Sequence, residues 1–205
     1  MKPLLLLGGG GQCRSAIDVI LSTQAYSIAG IVEREGSEAT SVLGYDILGS
    51  DANLEGLIRR CSSVLVTVGQ IKDPTPRIRL YELARSFDAE FPVIASSHAY
   101  ISPRAELGAG SIVMHGAVVN IAVEIGVNCI INSMSLIEHD AVVGDHSHIA
   151  TGARVNGGAN IGSRTFIGSG STIREGVVVG DDCVIAAGSV VMSNVPNGQL
   201  FRSSS

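Results

Sequence analysis

The sequence predicts an α/β unit over residues 1–95 joined to a parallel β-helix over residues 96–205, and three observations carry that expectation. Branched aliphatics recur every sixth residue, without a break, from Ile101 to Val191. The first ninety-odd residues instead alternate short apolar runs with stretches of helical periodicity. The chain is 45% hydrophobic and 16% charged, with 25 glycines in 205 residues, 4% aromatics and no tryptophan, which favours small close-packed β units over a helix bundle and excludes disorder.

Taken in order, residues 2–7 form a buried strand, Gly8 to Gly11 a tight turn, and residues 12–24 a helix with Ile17, Ile20 and Leu21 on one face. Residues 27–32 are a second strand and residues 45–48 a short extended segment. Asp51 is placed to cap a helix reaching Arg60, residues 63–68 are another strand, and residues 76–87 close the unit as a helix. Such alternation implies a small Rossmann-like parallel sheet. The boundary falls near residues 95–97.

From Ile101 the step of six passes through Leu107, Val113, Val119 and onward to Val191, sixteen aliphatics in all. Four residues after each stands a small residue, from Ala105 and Ser111 to Val195. A period of six matches neither an amphipathic helix nor an alternating strand. Each unit is one short strand plus a turn, three units make an eighteen-residue triangular coil, and coils stack at ~4.8 Å. Sixteen units are just over five coils. The aliphatic points inward and the small residue sits where the wall bends. Gly108, Gly126, Gly144, Gly162, Gly168 and Gly180 directly follow the aliphatic, where the backbone needs either positive φ or close approach of its neighbour. Cys129 and Cys183 are 54 residues, hence three coils, apart; at ~14 Å they cannot bond, and all four cysteines read as reduced thiols.

A net charge of −5 with scattered basic residues leaves no footprint for nucleic acid. The apolar run at residues 4–7 is too short for a membrane span and has no signal-peptide cleavage site after it, so a cytoplasmic protein is expected. Gly8-x-Gly10 lacks the third glycine of the dinucleotide fingerprint, although Glu33 stands where an acid would bind a ribose hydroxyl. The turn either holds an anion such as phosphate on backbone N–H groups at a helix N-terminus or merely packs helix against strand. A nicotinamide enzyme is disfavoured because the rest of the chain is prism wall. Arg77 and Arg79 could reach a phosphate, with solvation on a helix surface as the default.

Of five histidines, His139 stands out in Ile137-Glu138-His139-Asp140, on an outer turn with an acid on each side. One coil later comes Gly157, whose uncovered amide would lie about one strand spacing from the imidazole, as a general base beside an oxyanion donor requires. The alternative is a solvated turn histidine. His148 occupies a corner and could meet a ligand or a neighbouring subunit. Asn132 either caps a turn or touches a ligand. His98 and His115 read as structural, and His146 has no assigned role. A zinc site built from His115, His139, His146 and His148 is conceivable across subunits, but their spacing makes no facial set and no metal is expected.

The glycine turn, the unbroken hexapeptides, the stretch from Asn132 to Asp140 and His148-Ile149-Ala150-Thr151-Gly152-Ala153 together resemble the sialic-acid-synthesis-type sugar O-acyltransferase family, whose members include bacillosamine-pathway nucleotide-sugar N-acetyltransferases. The resemblance implies a left-handed helix, against the usual crossover hand. It implies His139 as general base, Asp140 as its orienting acid, Gly157 as oxyanion donor, and an acetyl-CoA site with His148, Asn132, Gly170, Ala187 and Gly188. It further implies a sugar-nucleotide site with Gly9, Gly10, Gly11, Gln12, Glu33 and Gly69, and a homotrimer with acetyl-CoA between prisms. Gln12, Cys13 and Gln70 depart from residues frequent in the family, and Asp140 is shorter than its usual Glu. The expected activity is acetyl-CoA-dependent N-acetylation of a nucleotide-linked amino sugar, with O-acetylation of a sialic-acid-type hydroxyl as the alternative.

Overall fold

The computed structural model describes residues 1–203, so the last two residues of the expected prism range lie outside it. The N-terminal unit contains β1 (Lys2–Leu7), α1 (Gly11–Thr23), β2 (Tyr26–Val32), β3 (Ser41–Val42), β4 (Tyr45–Gly49), α2 (Leu54–Ile58), β5 (Val64–Val66) and α3 (Thr75–Arg85). The strand order is β3-β4-β2-β1-β5. The expected parallel sheet is corrected in one place: β3 runs antiparallel to β4, because Leu43 and Gly44 both take positive φ and close a two-residue hairpin.

β1 is apolar on both faces, as a central parallel strand must be. Leu4 and Leu6 pack with Cys13, Ala16, Ile17 and Ile20 of α1, while Leu5 and Leu7 pack with Leu54, Ile58, Leu80 and Ala84 on the opposite side. Each such leucine, wholly removed from water, contributes about 2 kcal/mol. Leu21, expected on the buried face, is 52% exposed. The buried arc is made by residues 13, 16, 17, 19 and 20, and Leu21 falls about 40° outside it, beyond Ile17.

From Ile94 the chain winds as a left-handed triangular prism. Its first face has seven strands, from Ile94–Ala95 to Leu200–Phe201; the second has six, from Tyr100–Ile101 to Val190–Val191; the third has five, from Glu106–Leu107 to Val178–Val179. Partners are eighteen residues apart, as in Val118↔Leu136 and Leu136↔Arg154. The ladder begins one unit before Ile101. The last coil is two residues short: Val195 bridges Val179 and Phe201 pairs with Ile185, so Val195 is a strand partner and not the expected bend residue.

The inward aliphatics and the small column form one continuous core. At the third corner, joining third face to first, the small column is a hydrogen-bonded ladder. Ser111 Oγ donates to Gly126 O at 2.8 Å and accepts from Cys129 N–H at 2.9 Å; Ser147 and Thr165 repeat the pattern upward. Cys129 and Cys183 stand in this column, and all four cysteines are free and buried. The glycines after the aliphatic do not take positive φ; a Cβ on Gly162 would come within 2.5 Å of Asp181 N, and one on Gly168 within 2.5 Å of Ala187 N. Close stacking, not backbone hand, demands glycine there. Positive φ falls two residues later, at positions such as Asn128, Met134, Asp140 and His146.

The N-terminal unit sits on the first face, where Ile112, Met114 and Ile130 point outward into the α1 cluster. Arg77 corrects an expectation here. It is not on a solvated surface but 1% exposed, with Nη1 donating to Val66 O (2.7 Å) and Val68 O (2.9 Å) and Nε to Asn128 O (3.1 Å). Burial lowers its pKa to about 10, which leaves it charged at neutral pH. Three carbonyl dipoles thus hold the cation between the loop after β5 and the third corner. Arg79 does remain on the surface, paired with Asp51.

Candidate active site

His139 lies on the second corner, between the second-face strand Leu136–Ile137 and the third-face strand Val142–Val143. Asp140, which follows in the left-handed conformation (φ 60°), places its carboxylate beside the ring: His139 Nδ1–H donates to Asp140 Oδ2 at 2.8 Å. That bond leaves Nε2 as the free, basic nitrogen. The second expected acid is not part of the pair, because Glu138 accepts from Asn120 Nδ2 at 2.9 Å, one coil back.

Gly157 occupies the same corner one coil on, and a Cβ there would lie 2.7 Å from both Cε1 and Nε2 of His139. The missing side chain is what lets the imidazole lie against the backbone. Gly158 N–H donates to His139 O at 2.9 Å and ties the two turns, whereas Gly157 N–H has no acceptor among the described residues. A base with a fixed tautomer therefore adjoins an unengaged amide, and the imidazole is 58% exposed to solvent.

The other expected residues lie elsewhere. Asn132, Gly170, Ala187 and Gly188 all fall on the first corner, between first and second faces. His148 corrects the expectation of a corner residue: it is a first-face strand residue, paired between Ile130 and Phe166 and 6% exposed beneath the N-terminal unit. Its Nδ1 bonds Gln70 O at 2.6 Å and its Nε2 meets Asn132 Nδ2 at 3.1 Å. Burial lowers its pKa to about 4. Asn132 caps its own turn through Ser133 N–H, 2.7 Å from Oδ1.

At the glycine turn, Gly8 (φ 104°) has a conformation and a contact with Val68 that no larger residue could match. Gly10 caps α1 without a side-chain partner, there is no acid in the first turn, and Gly10 and Gly11 are open to solvent. The first-turn N–H groups of α1 thus point outward with a favourable dipole. Gly9 differs from the expected cradle. Parallel pairing of Leu7 with Val32 sets Glu33 beside it, and Glu33 Oε2 accepts the Gly9 N–H at 2.5 Å. Gly69 is adjacent, its Cβ position 3.5 Å from Gln12 Cβ.

Sequence reasoning named Gln70 and Arg77 without their fastening role, and missed Asp18, whose carboxylate is 3.0 Å from His115 Nε2. None carries a local motif. His115 is on the first corner, His146 on the third and His139 on the second, so the histidines do not converge within one chain. Among the described residues no three metal-ligating side chains come together, and no helix is long and apolar enough to cross a membrane.

A profile described as the PglD N-terminal domain matches residues 3–82, and one described as bacterial transferase hexapeptide (six repeats) matches residues 158–192. Comparison with curated proteins found no match. Among solved structures, the chain is similar to a mutant of perosamine N-acetyltransferase from Caulobacter crescentus in complex with CoA and GDP-perosamine, with 29% identity and a TM-score of 0.90 over 96% of this chain and 91% of that one. It is also similar to the acetyltransferase domain of PglB from Neisseria gonorrhoeae, with 27% identity and a TM-score of 0.88 over 97% and 95% of the two chains; the same domain with acetyl coenzyme A bound gives 27% and 0.88 over 96% and 94%. A PglD-type N-terminal domain joined to a hexapeptide-repeat prism, with N-acetyltransferases as similar solved structures over nearly the whole chain, makes this chain an acyltransferase that resembles the bacillosamine-pathway sugar acetyltransferases.

Proposed function

We propose that the protein transfers the acetyl group of acetyl-CoA to the amine of a nucleotide-linked amino sugar, with His139 as general base. The observation that carries this reading is the His139 imidazole held by Asp140 with Nε2 against Gly157. The amine nitrogen attacks the thioester carbonyl and gives a proton to His139 Nε2, while Asp140 stabilises the imidazolium that forms. The Gly157 N–H receives the oxyanion. Collapse breaks the C–S bond, and the imidazolium returns the proton to the departing thiolate. No acyl-enzyme is required. Base catalysis supplies about 10²–10⁴-fold and an oxyanion donor a comparable factor, with alignment of two bound substrates supplying the rest.

The nucleotide diphosphate is assigned to the open N–H groups of Gly10, Gly11 and Gln12. Glu33, which already holds Gly9 N–H, faces the ribose, and Gly69 supplies the opposite wall. Acetyl-CoA is assigned to the first corner along Asn132, Gly170, Ala187 and Gly188. These groups lie a full prism face from His139, so one chain does not assemble both halves. The second face between them exposes Tyr100 and Val190, and the corners flanking it expose Met134 and Met192, each at 50% or more, an apolar surface suited to burial against another copy. A closed three-fold arrangement would bring the second corner of one prism to the first corner of the next. The assembly this reading expects is a homotrimer of three 21.2 kDa chains, for which equilibrium sedimentation should give about 64 kDa; a monomer at about 21 kDa would refute it. A cytoplasmic location is proposed as part of this reading.

The test is thiol release from acetyl-CoA with UDP-, GDP- and CMP-linked amino sugars and free sialic acid as acceptors. Turnover with an amino-sugar nucleotide is expected; turnover with sialic acid alone would move the assignment to O-acetylation. Release with none of them would overturn it.

A further inference from the structure

The resemblance assigns His148 to acetyl-CoA, but its hydrogen bonds commit it elsewhere. Asn132 Oδ1 accepts Ser133 N–H at 2.7 Å, which turns the amide nitrogen toward His148. His148 Nε2, 3.1 Å from that nitrogen, must therefore accept. Nδ1 is 2.6 Å from the Gln70 carbonyl, which can only accept, so Nδ1 carries the proton. The three bonds run in one direction and fix one neutral tautomer. The ring is packed edge-on against Phe166 and 6% exposed, leaving neither nitrogen for a ligand. Gln70 directly follows Gly69, and the same loop is held from behind by Arg77 through Val66 O and Val68 O.

We infer that His148 is a positioning residue: a strut between the prism corner at Asn132 and the nucleotide-site loop at Gly69–Gln70 that sets where the sugar nucleotide sits relative to the acyl donor, without touching the donor. This rests on the proposed placement of the two substrates. An asparagine at 148 places its amide nitrogen near the Nδ1 position and keeps the bond to Gln70; a glutamine reaches the Nε2 position and keeps only the bond to Asn132.

The experiment measures, by calorimetry on the intact protein, CoA and whichever of UDP or GDP the wild type binds, for His148→Asn and His148→Gln, with KM for each substrate where turnover exists. Nucleotide affinity should fall about ten-fold in His148→Gln and under three-fold in His148→Asn, with CoA affinity unchanged in both. Loss of CoA affinity in both variants with nucleotide affinity intact would overturn the strut. A second measurement needs no variant: in ¹⁵N-histidine spectra of the wild type, His148 should show the Nδ1–H tautomer and no shift on adding CoA. An Nε2–H tautomer, or a CoA-induced shift at Nε2, overturns the inference. Failure of both nucleotides to bind, or of any acetyl transfer, would count against the proposed function, and the CoA and spectral results would still decide the strut.

Discussion

Gly157→Ala tests the catalytic geometry with a single methyl. The glycine has ordinary negative φ, so alanine fits its backbone, and the N–H is retained. The added carbon would sit 2.7 Å from Cε1 and Nε2 and 3.3 Å from Nδ1 of His139. Ordinary carbon contacts need about 3.5 Å, so the ring must move by roughly 0.8 Å. It can do so outward, being 58% exposed, and the cost in stability should stay under about 1 kcal/mol. Movement swings Nε2 from the reacting nitrogen and strains the 2.8 Å bond to Asp140. Misplacement on this scale costs about 10²-fold in kcat, near 2.7 kcal/mol. Thiol release gives the rate and a thermal melt checks the fold. Because the effect acts through His139, adding Gly157→Ala to His139→Ala should cost less than three-fold more. A folded Gly157→Ala protein with kcat within three-fold of wild type would refute the juxtaposition of base and amide.

Removing the base outright, His139→Ala, should lower kcat by about 10²–10⁴-fold and leave CoA affinity within three-fold, read by kinetics and calorimetry. Glu33→Ala should raise the sugar-nucleotide KM about ten-fold with little change for acetyl-CoA; equal effects on both would exclude a ribose contact. Stability should depend on pH through His148: its pKa is about 4 folded against an ordinary 6.5, so the unfolded chain binds the proton first. The contribution of about 3 kcal/mol is complete above pH 6.5 and lost as pH falls toward 4, and chemical melts of His148→Gln should lack that loss. Gly162→Ala drives a Cβ to 2.5 Å from Asp181 N in the next coil, where backbone cannot yield; a loss of about 3 kcal/mol or more is expected by denaturant titration.

The prism was legible because its core has one residue type per turn of wall: an inward aliphatic every sixth position and a small residue four later specify strand, bend and stacking by local sterics alone. His139, Asp140 and Gly157 could be placed together from the sequence because eighteen residues make one coil, so a number in the chain is a position on a corner. The same arithmetic could not show that Glu138 turns away to Asn120, since that depends on which side chain reaches first.

At the N-terminal unit, apolar periodicity marked strands and helices but not the two-residue hairpin strand at Ser41–Val42, too short to leave a period. Nor did it foresee that Arg77 is buried or that Leu21 is not. Residue order alone settled the parts that repeat, because a periodic pattern is a local constraint satisfied the same way at each turn. How the α/β unit docks on the first face had to be seen in three dimensions: Arg77, Gln70 and His148 each take a partner 51 to 94 residues away, across an interface whose shape no local pattern encodes.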